Sequence, residues 1–314
     1  MARNLCVVLG ATGHVGSVVT SRLLDANVRV RVVARNQERL SPFVKRGAEA
    51  AAGSIDDAPF LRRALDGARA AFVMLPPYFG PGIRAWQDRT AGVIGDALRA
   101  ARVPFAVALS SIGADLAEGN GPVAGLHVLE QRLDGVGGLA SLHLRPGYFF
   151  ENNLGMIGLI RAMGSLGNAL RPDLKMAHVA ARDIGEVAAR RLQALDWKGH
   201  VVQELHGERD LTLAEVAAAL GKAIGRPDLQ YVQLGYADAE RGMVQAGVAP
   251  EMAALYMDMS RGFNEGRVRP TQPRGAASTT PTSIERWASE IFAPAFAASA
   301  PRPAGEAEEA RGHA

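Results

Sequence analysis

Gly10-Ala11-Thr12-Gly13-His14-Val15-Gly16 follows directly on the apolar run Leu5 to Leu9, with its three glycines spaced three residues apart. Such spacing suits phosphate chemistry. One glycine permits a tight turn, another lets an anion approach the backbone, and the third lets a helix start close against its strand. The helix N-terminus then offers free N–H groups and a partial positive charge to a pyrophosphate. A carboxylate about 20 residues further on would hold a ribose 2′-hydroxyl, yet the chain reads Val33-Ala34-Arg35-Asn36 there. Arg35 is suited instead to charge-assisted hydrogen bonds to a 2′-phosphate. The pattern points to NADP(H), with NAD(H) as the second candidate, and assigns Gly10, Thr12, Gly13, His14, Val15, Gly16, Arg35 and Asn36 to the cofactor.

Two later turns extend the same site. Asp56 and Asp57 follow the third apolar run, where a carboxylate caps a helix or reaches an adenine amino group. Met74-Leu75-Pro76 ends the fourth run, at the edge where cofactors lie in open α/β sheets.

The elements that must position these residues alternate short apolar runs with segments of helical period, the signature of βα units on a parallel sheet. Strands are expected at Leu5 to Leu9, Val28 to Val33, Ala48 to Ala52, Ala70 to Leu75, Phe105 to Leu109 and Leu139 to Leu144. The second and last alternate with polar residues and read as lying nearer an edge. Covering helices are expected at His14 to Ala26, Asp57 to Leu65 and Ile83 to Ala101. The fold class is therefore α/β, a doubly wound parallel sheet of Rossmann type with a small mixed C-terminal lobe. Residues 1–150 form the nucleotide-binding core and 151–295 the lobe, with helix 181–195 and strand 201–205 packing back on the core. Asn153 to Leu166 reads as helical, and Thr212 with Glu215 forms a capping box. Helices near 237–246, 250–262 and 283–292 follow a short strand at 231–234. The segment 296–314, rich in Ala, Glu, Pro and Gly, reads as a disordered tail.

Composition narrows the function classes. The 314 residues carry 48% apolar and 21% charged residues and a net charge of +3, which is globular and too weakly basic to argue for nucleic acid. No apolar stretch reaches the roughly 18 residues a membrane span needs, and no export signal is read. The single cysteine, Cys6, forms no internal disulfide, so the cytoplasm is the expected compartment. Seven histidines show no metal-ligand spacing, and no metal site is expected.

Taken in order, GATGHVG, Arg35-Asn36, Gly53-Ser54-Ile55-Asp56-Asp57, Leu109-Ser110-Ser111-Ile112-Gly113-Ala114, Leu144-Arg145-Pro146-Gly147-Tyr148-Phe149 and Arg182-Asp183-Ile184 resemble the NmrA-like, atypical short-chain dehydrogenase/reductase proteins. The resemblance spans residues 4–292. It implies a Rossmann fold, NADP(H) binding, and one of two roles: reduction of quinones, azo compounds or dyes, or regulation of a protein partner by sensing the cofactor without turnover. Related alcohol dehydrogenases use a Tyr-x-x-x-Lys pair, in which lysine lowers the tyrosine pKa. Here the five tyrosines are followed four residues on by Gly82, Asn152, Gly235, Glu240 and Ser260, and the only lysines are 45, 175, 198 and 222. That absence disfavours alcohol, ketone and sugar-nucleotide epimerase chemistry, because such proton transfers need a positioned base. His127, where the tyrosine would be sought, is the candidate proton donor. Ser110, Ser111 and Tyr148 are candidate catalytic or nicotinamide-side residues, with Pro146 and Gly147 walling the same cleft and Tyr78, Phe79, Phe149 and Phe150 lining an apolar pocket for a small-molecule acceptor. Asp183 reads as a structural helix-entry carboxylate.

Overall fold

A computed structural model describes residues 4–299. Its centre is a seven-stranded, wholly parallel sheet made of β1 (Leu5–Leu9), β2 (Arg29–Ala34), β3 (Glu49–Ala52), β4 (Ala70–Val73), β5 (Phe105–Leu109), β6 (Ala140–Pro146) and, after three strands outside this sheet, β10 (His200–Leu205). Between β6 and β10 lie β7 (Tyr148–Phe149), β8 (Ser165–Asn168) and β9 (Met176–Val179), and β11 (Asp210–Leu211) and β12 (Gln230–Gln233) come after β10.

Strand order across the large sheet is β10-β6-β5-β4-β1-β2-β3. The chain runs outward from β1 to β3, then returns to place β4 on the other side of β1, so the order reverses between β1 and β4. Crevices open at the carboxyl ends of strands at such a reversal. Helices His14–Asp25 and Ala181–Ala194 cover one face, and Ala58–Leu65, Ile83–Ala101 and Ala124–Asp134 cover the other. The first pair crosses closely because Gly185 carries no side chain: a Cβ there would lie 2.5 Å from the Val18 Cβ.

The two strands expected nearer an edge each lie one strand in from it. β2 sits between β1 and β3, and β6 between β5 and β10. Polar residues survive there because each has a partner. Arg31 pairs with Glu49 of the neighbouring strand and donates to the Ala64 and Asp66 carbonyls. In β6, Asp134 accepts from Ser141 and His143, both at 2.7 Å.

Beyond the large sheet, β7, β9 and β11 form a three-stranded sheet and β8 pairs with β12. Within the stretch expected to be helical, Phe150–Met156 is a 3-10 segment, Ile157–Met163 is helical and Ser165–Asn168 is strand. Gly164, at φ +73°, turns the chain between the last two. The capping box holds: Thr212 Oγ1 accepts from Glu215 N, and the Glu215 carboxylate accepts from Thr212 N. Of the segment expected to be disordered, residues up to Ala298 extend a helix that starts at Ala293, with the Phe296 ring packed against Phe292 and under the Arg161 guanidinium. Residues 300–314 lie outside the described residues. Among the described residues no helix is long and apolar enough to cross a membrane, and no group of His, Cys, Asp or Glu is placed to hold a metal.

Candidate active site

Two cavities meet above the carboxyl edge of the sheet. The first, of about 520 Å³, lies over β1 and β2 and is lined by Gly10, Thr12, Gly13, His14, Arg35, Asp56, Met74 and Pro76 from the sequence-based set. Ser17, Arg39, Gly53, Ser54 and Trp86 join them from outside it. Gly10 has φ +66°, a conformation that strains other residues, and it packs on the Met74 side chain. A Cβ on Gly16 would lie 2.2 Å from the Gly10 carbonyl oxygen, so helix 14–25 begins in direct contact with the turn. Gly13 makes no side-chain cap to that helix, which leaves its first N–H groups facing the cleft.

Val15 and Gly16 serve from beneath rather than from the wall. Both are buried and neither lines the cavity. Asn36 is also absent from it, contrary to expectation. Its Oδ1 accepts from the backbone N–H groups of Glu38 and Arg39, so the side chain is spent folding the 3-10 turn after β2. That turn brings Arg39 beside Arg35. Both guanidinium groups are exposed on the cavity wall, and Arg39 donates to the Thr12 carbonyl at 3.3 Å. Asp56 accepts from Trp86 Nε1 at 3.2 Å, and its carboxyl is held below the usual range by hydrogen bonding from Ser54, against burial. Asp57 is the helix cap, accepting from Phe60 N.

The second cavity, of about 550 Å³, is apolar and shares Pro77 and Tyr78 with the first. Leu75, Ser110, Ser111, Pro146, Gly147, Tyr148 and Phe149 contribute from the strand ends. The roof comes from helix Pro250–Asn264 through Met252, Tyr256, Met259 and Phe263, and one side from the strap Val268-Arg269-Pro270. Tyr78 is fixed by stacking on Trp86, with ring centroids 4.5 Å apart, whereas Phe79 is 74% exposed at the mouth. Phe150 is core, stacked near His178 and Trp287. Gly147 is required for the close approach of β7 to β9, because a Cβ there would lie 2.3 Å from the Ala177 carbonyl oxygen.

The four catalytic candidates divide. Tyr148 lines the cavity, and burial pushes its phenol up to about 12, so it keeps its proton at neutral pH. Ser111 lines the wall with its hydroxyl turned to the Ile112 carbonyl. Ser110 Oγ donates to Glu130 at 2.5 Å, and Glu130 in turn receives both arms of the Arg145 guanidinium. Its hydroxyl proton is therefore committed, and Ser110 offers lone pairs to the cavity. His127 lies outside both cavities: its Nδ1 meets the Ala114 carbonyl and its Nε2 the Gln131 amide, each at 2.8 Å. Both ring nitrogens are therefore engaged within the protein. The proton-donor expectation for His127 has no geometry behind it.

Three features fit a dinucleotide to the first cavity: the uncapped helix start, the side-chain-free approach at Gly10, Gly13 and Gly16, and two cations at the β2 end. Comparison with known proteins agrees. Residues 10–134 match a family model described as NAD(P)H-binding. An NAD(P)H azoreductase of Xenophilus azovorans is 30% identical over 253 residues, covering 79% of this chain and 84% of that protein. A (4-alkanoyl-5-oxo-2,5-dihydrofuran-3-yl)methyl phosphate reductase of Streptomyces griseus is 30% identical, covering 81% and 85% respectively. Among solved structures, an NADPH-dependent quinone oxidoreductase of Escherichia coli complexed with NADPH superposes with TM-score 0.77 at 24% identity, covering 91% of this chain and 99% of that one.

Proposed function

Because the chain belongs to the NmrA-like family of atypical short-chain dehydrogenase/reductase proteins and binds NAD(P)H, we propose that it is a reductase that prefers NADPH and passes hydride to a small electrophilic acceptor such as a quinone, an azo compound or a dye. The observation that carries this reading is the shared wall at Pro77 and Tyr78, which sets an aromatic, apolar cavity against the end of the dinucleotide cleft. The cofactor, when bound, supplies the hydride. Everything else falls to the chain. The helix start at Gly13 to Gly16, with Thr12 and His14, holds the pyrophosphate. Arg35 and Arg39 receive the 2′-phosphate, and Asp56 borders the adenine end beside Trp86. Met74 and Pro76 support the cofactor along β4, while Leu75, Ser110, Pro146 and Gly147 wall the nicotinamide end.

Tyr148 orients the acceptor by donating from a phenol that stays neutral. A tyrosine needs a lysine partner when it must give up a full proton to a developing alkoxide. An acceptor that takes hydride and then collects its proton from water needs only a hydrogen bond. Apolar walls exclude water from the hydride path and strengthen that bond.

NADPH oxidation by the purified protein against a panel of quinones, azo compounds and dyes tests the reading, with NADH and Gly13→Asp in parallel. Turnover that Gly13→Asp abolishes establishes the reductase. Failure of every acceptor while NADPH still binds replaces it with a cofactor-sensing regulator of a protein partner.

A further inference from the structure

Apart from its tyrosines, the acceptor cavity is lined, among the described residues, by three ionisable residues: Lys175, Asp210 and Arg269. Asp210 is already engaged, because its carboxylate pairs with Arg274. Glu215, a second carboxylate close enough to Lys175 to feel its charge, is held in the capping box by Thr212. Neighbouring cations are likewise consumed, Arg171 by Asp173 and Arg267 by Glu265. Lys175 and Arg269 differ from them. Both are exposed at the cavity, and among the described residues neither makes an ion pair. Lys175 stands just before β9 and Arg269 in the strap after helix 250–264, two segments that share one apolar cluster through Ala177 and Val268.

We propose that the cavity takes a planar aromatic acceptor bearing an oxyanionic substituent, a carboxylate, sulfonate or phosphate, which Lys175 and Arg269 receive at the rim while the ring lies among Tyr78, Tyr148, Phe149 and Phe263. The word acceptor rests on the reductase reading; the binding site does not. An isolated exposed cation contributes little, but two unpaired cations at the mouth of an apolar cavity focus their field on whatever enters it. Arg269 matches an oxyanion bidentately and Lys175 adds a point charge. A cationic ring of the same size meets two like charges and is rejected.

Titration calorimetry on the full-length protein with saturating NADP⁺ tests this. The ligands are naphthalene-2-sulfonate, naphthalene-2-carboxylate and 2-naphthyl phosphate, against neutral 2-naphthol and cationic 2-naphthylmethylammonium. The anions should bind about tenfold more tightly than 2-naphthol at low salt, with the advantage falling as salt rises. The cation should bind worst. Lys175→Met combined with Arg269→Met should erase the anion advantage, leave 2-naphthol affinity unchanged and, both residues being exposed, leave the melting temperature unchanged. Equal affinity for 2-naphthol and naphthalene-2-sulfonate, or an advantage that survives the double substitution, overturns the proposal. Anion-selective binding without NADPH oxidation by any acceptor supports this site and overturns the reductase reading. Turnover with neutral and anionic acceptors at equal KM does the reverse.

Discussion

Replacing Glu204 by Gln removes the charge from a buried carboxylate that four donors share. His206 Nε2, Thr271 N, Thr271 Oγ1 and Gln272 N all bond to it, at 2.8 to 3.0 Å. Burial alone would raise its pKa, but the bond from His206 and those from Thr271 and Gln272 outweigh burial and carry it from 4.5 down to about 2. A shift of that size corresponds to about 3 kcal/mol of stability at neutral pH. Because the folded value lies below the unfolded one, the contribution is full above the ordinary carboxyl range, falls to about half near pH 3, and disappears as pH drops through the folded value. Glutamine keeps the shape but turns an NH₂ group toward two of the donors, so Glu204→Gln should cost about 3 kcal/mol in urea unfolding at pH 7. The gap between wild type and variant should narrow between pH 5 and pH 3. The same substitution loosens the strap whose Val268, Arg269 and Pro270 line the acceptor cavity, so acceptor KM should rise while NADPH affinity holds. A loss below about 1 kcal/mol at pH 7, or one that does not vary down to pH 3, would refute the reasoning.

Gly16→Ala drives a methyl group into the Gly10 carbonyl oxygen. It should weaken NADPH binding at least tenfold, measured by fluorescence titration, and lower stability by about 1 to 3 kcal/mol. Arg35→Glu and Arg39→Glu should each reduce NADPH affinity and spare NADH, with the double variant inverting the preference; equal losses for both cofactors would remove the 2′-phosphate assignment. Glu130→Gln leaves the buried Arg145 guanidinium without its carboxylate and should cost about 3 to 5 kcal/mol in chemical denaturation, whereas Ser110→Ala, which breaks only the hydroxyl bond, should cost far less.

How much of this was legible before folding depends on how local each feature is. The turn Gly10 to Gly16, strands β1 and β5 and helix 83–101 are written in contiguous residues whose hydrophobic period and glycine spacing decide their conformation. The capping box at Thr212 and Glu215 is legible for the same reason. Elsewhere partners from distant sequence complete what the local pattern only suggests. The alternating residues of β2 and β6 put those strands toward the sheet edges, where they lie, but the pairing of Arg31 with Glu49 and of Ser141 and His143 with Asp134 is written in neither stretch. Asp183 reads as a helix-entry carboxylate; in the fold it also clamps Thr282, accepting from its N and Oγ1 at 2.9 and 2.7 Å.

By itself the sequence determined that this is a parallel α/β chain with a phosphate-binding turn, an arginine where a carboxylate would select NAD(H), and no Tyr-x-x-x-Lys pair. Those are statements about residue types at short spacing, and short spacing survives the loss of the third dimension. Only the tertiary structure decided which side chains meet. It spent Asn36 on a turn and put Arg39 on the cleft wall, took His127 out of the site, tied the Ser110 proton to Glu130, and gathered Lys175, Tyr256 and Arg269 around one cavity. Each of those outcomes turns on a contact between segments that periodicity cannot bring together. A cavity is lined by whatever several loops happen to place at one point, and no single stretch of chain records it.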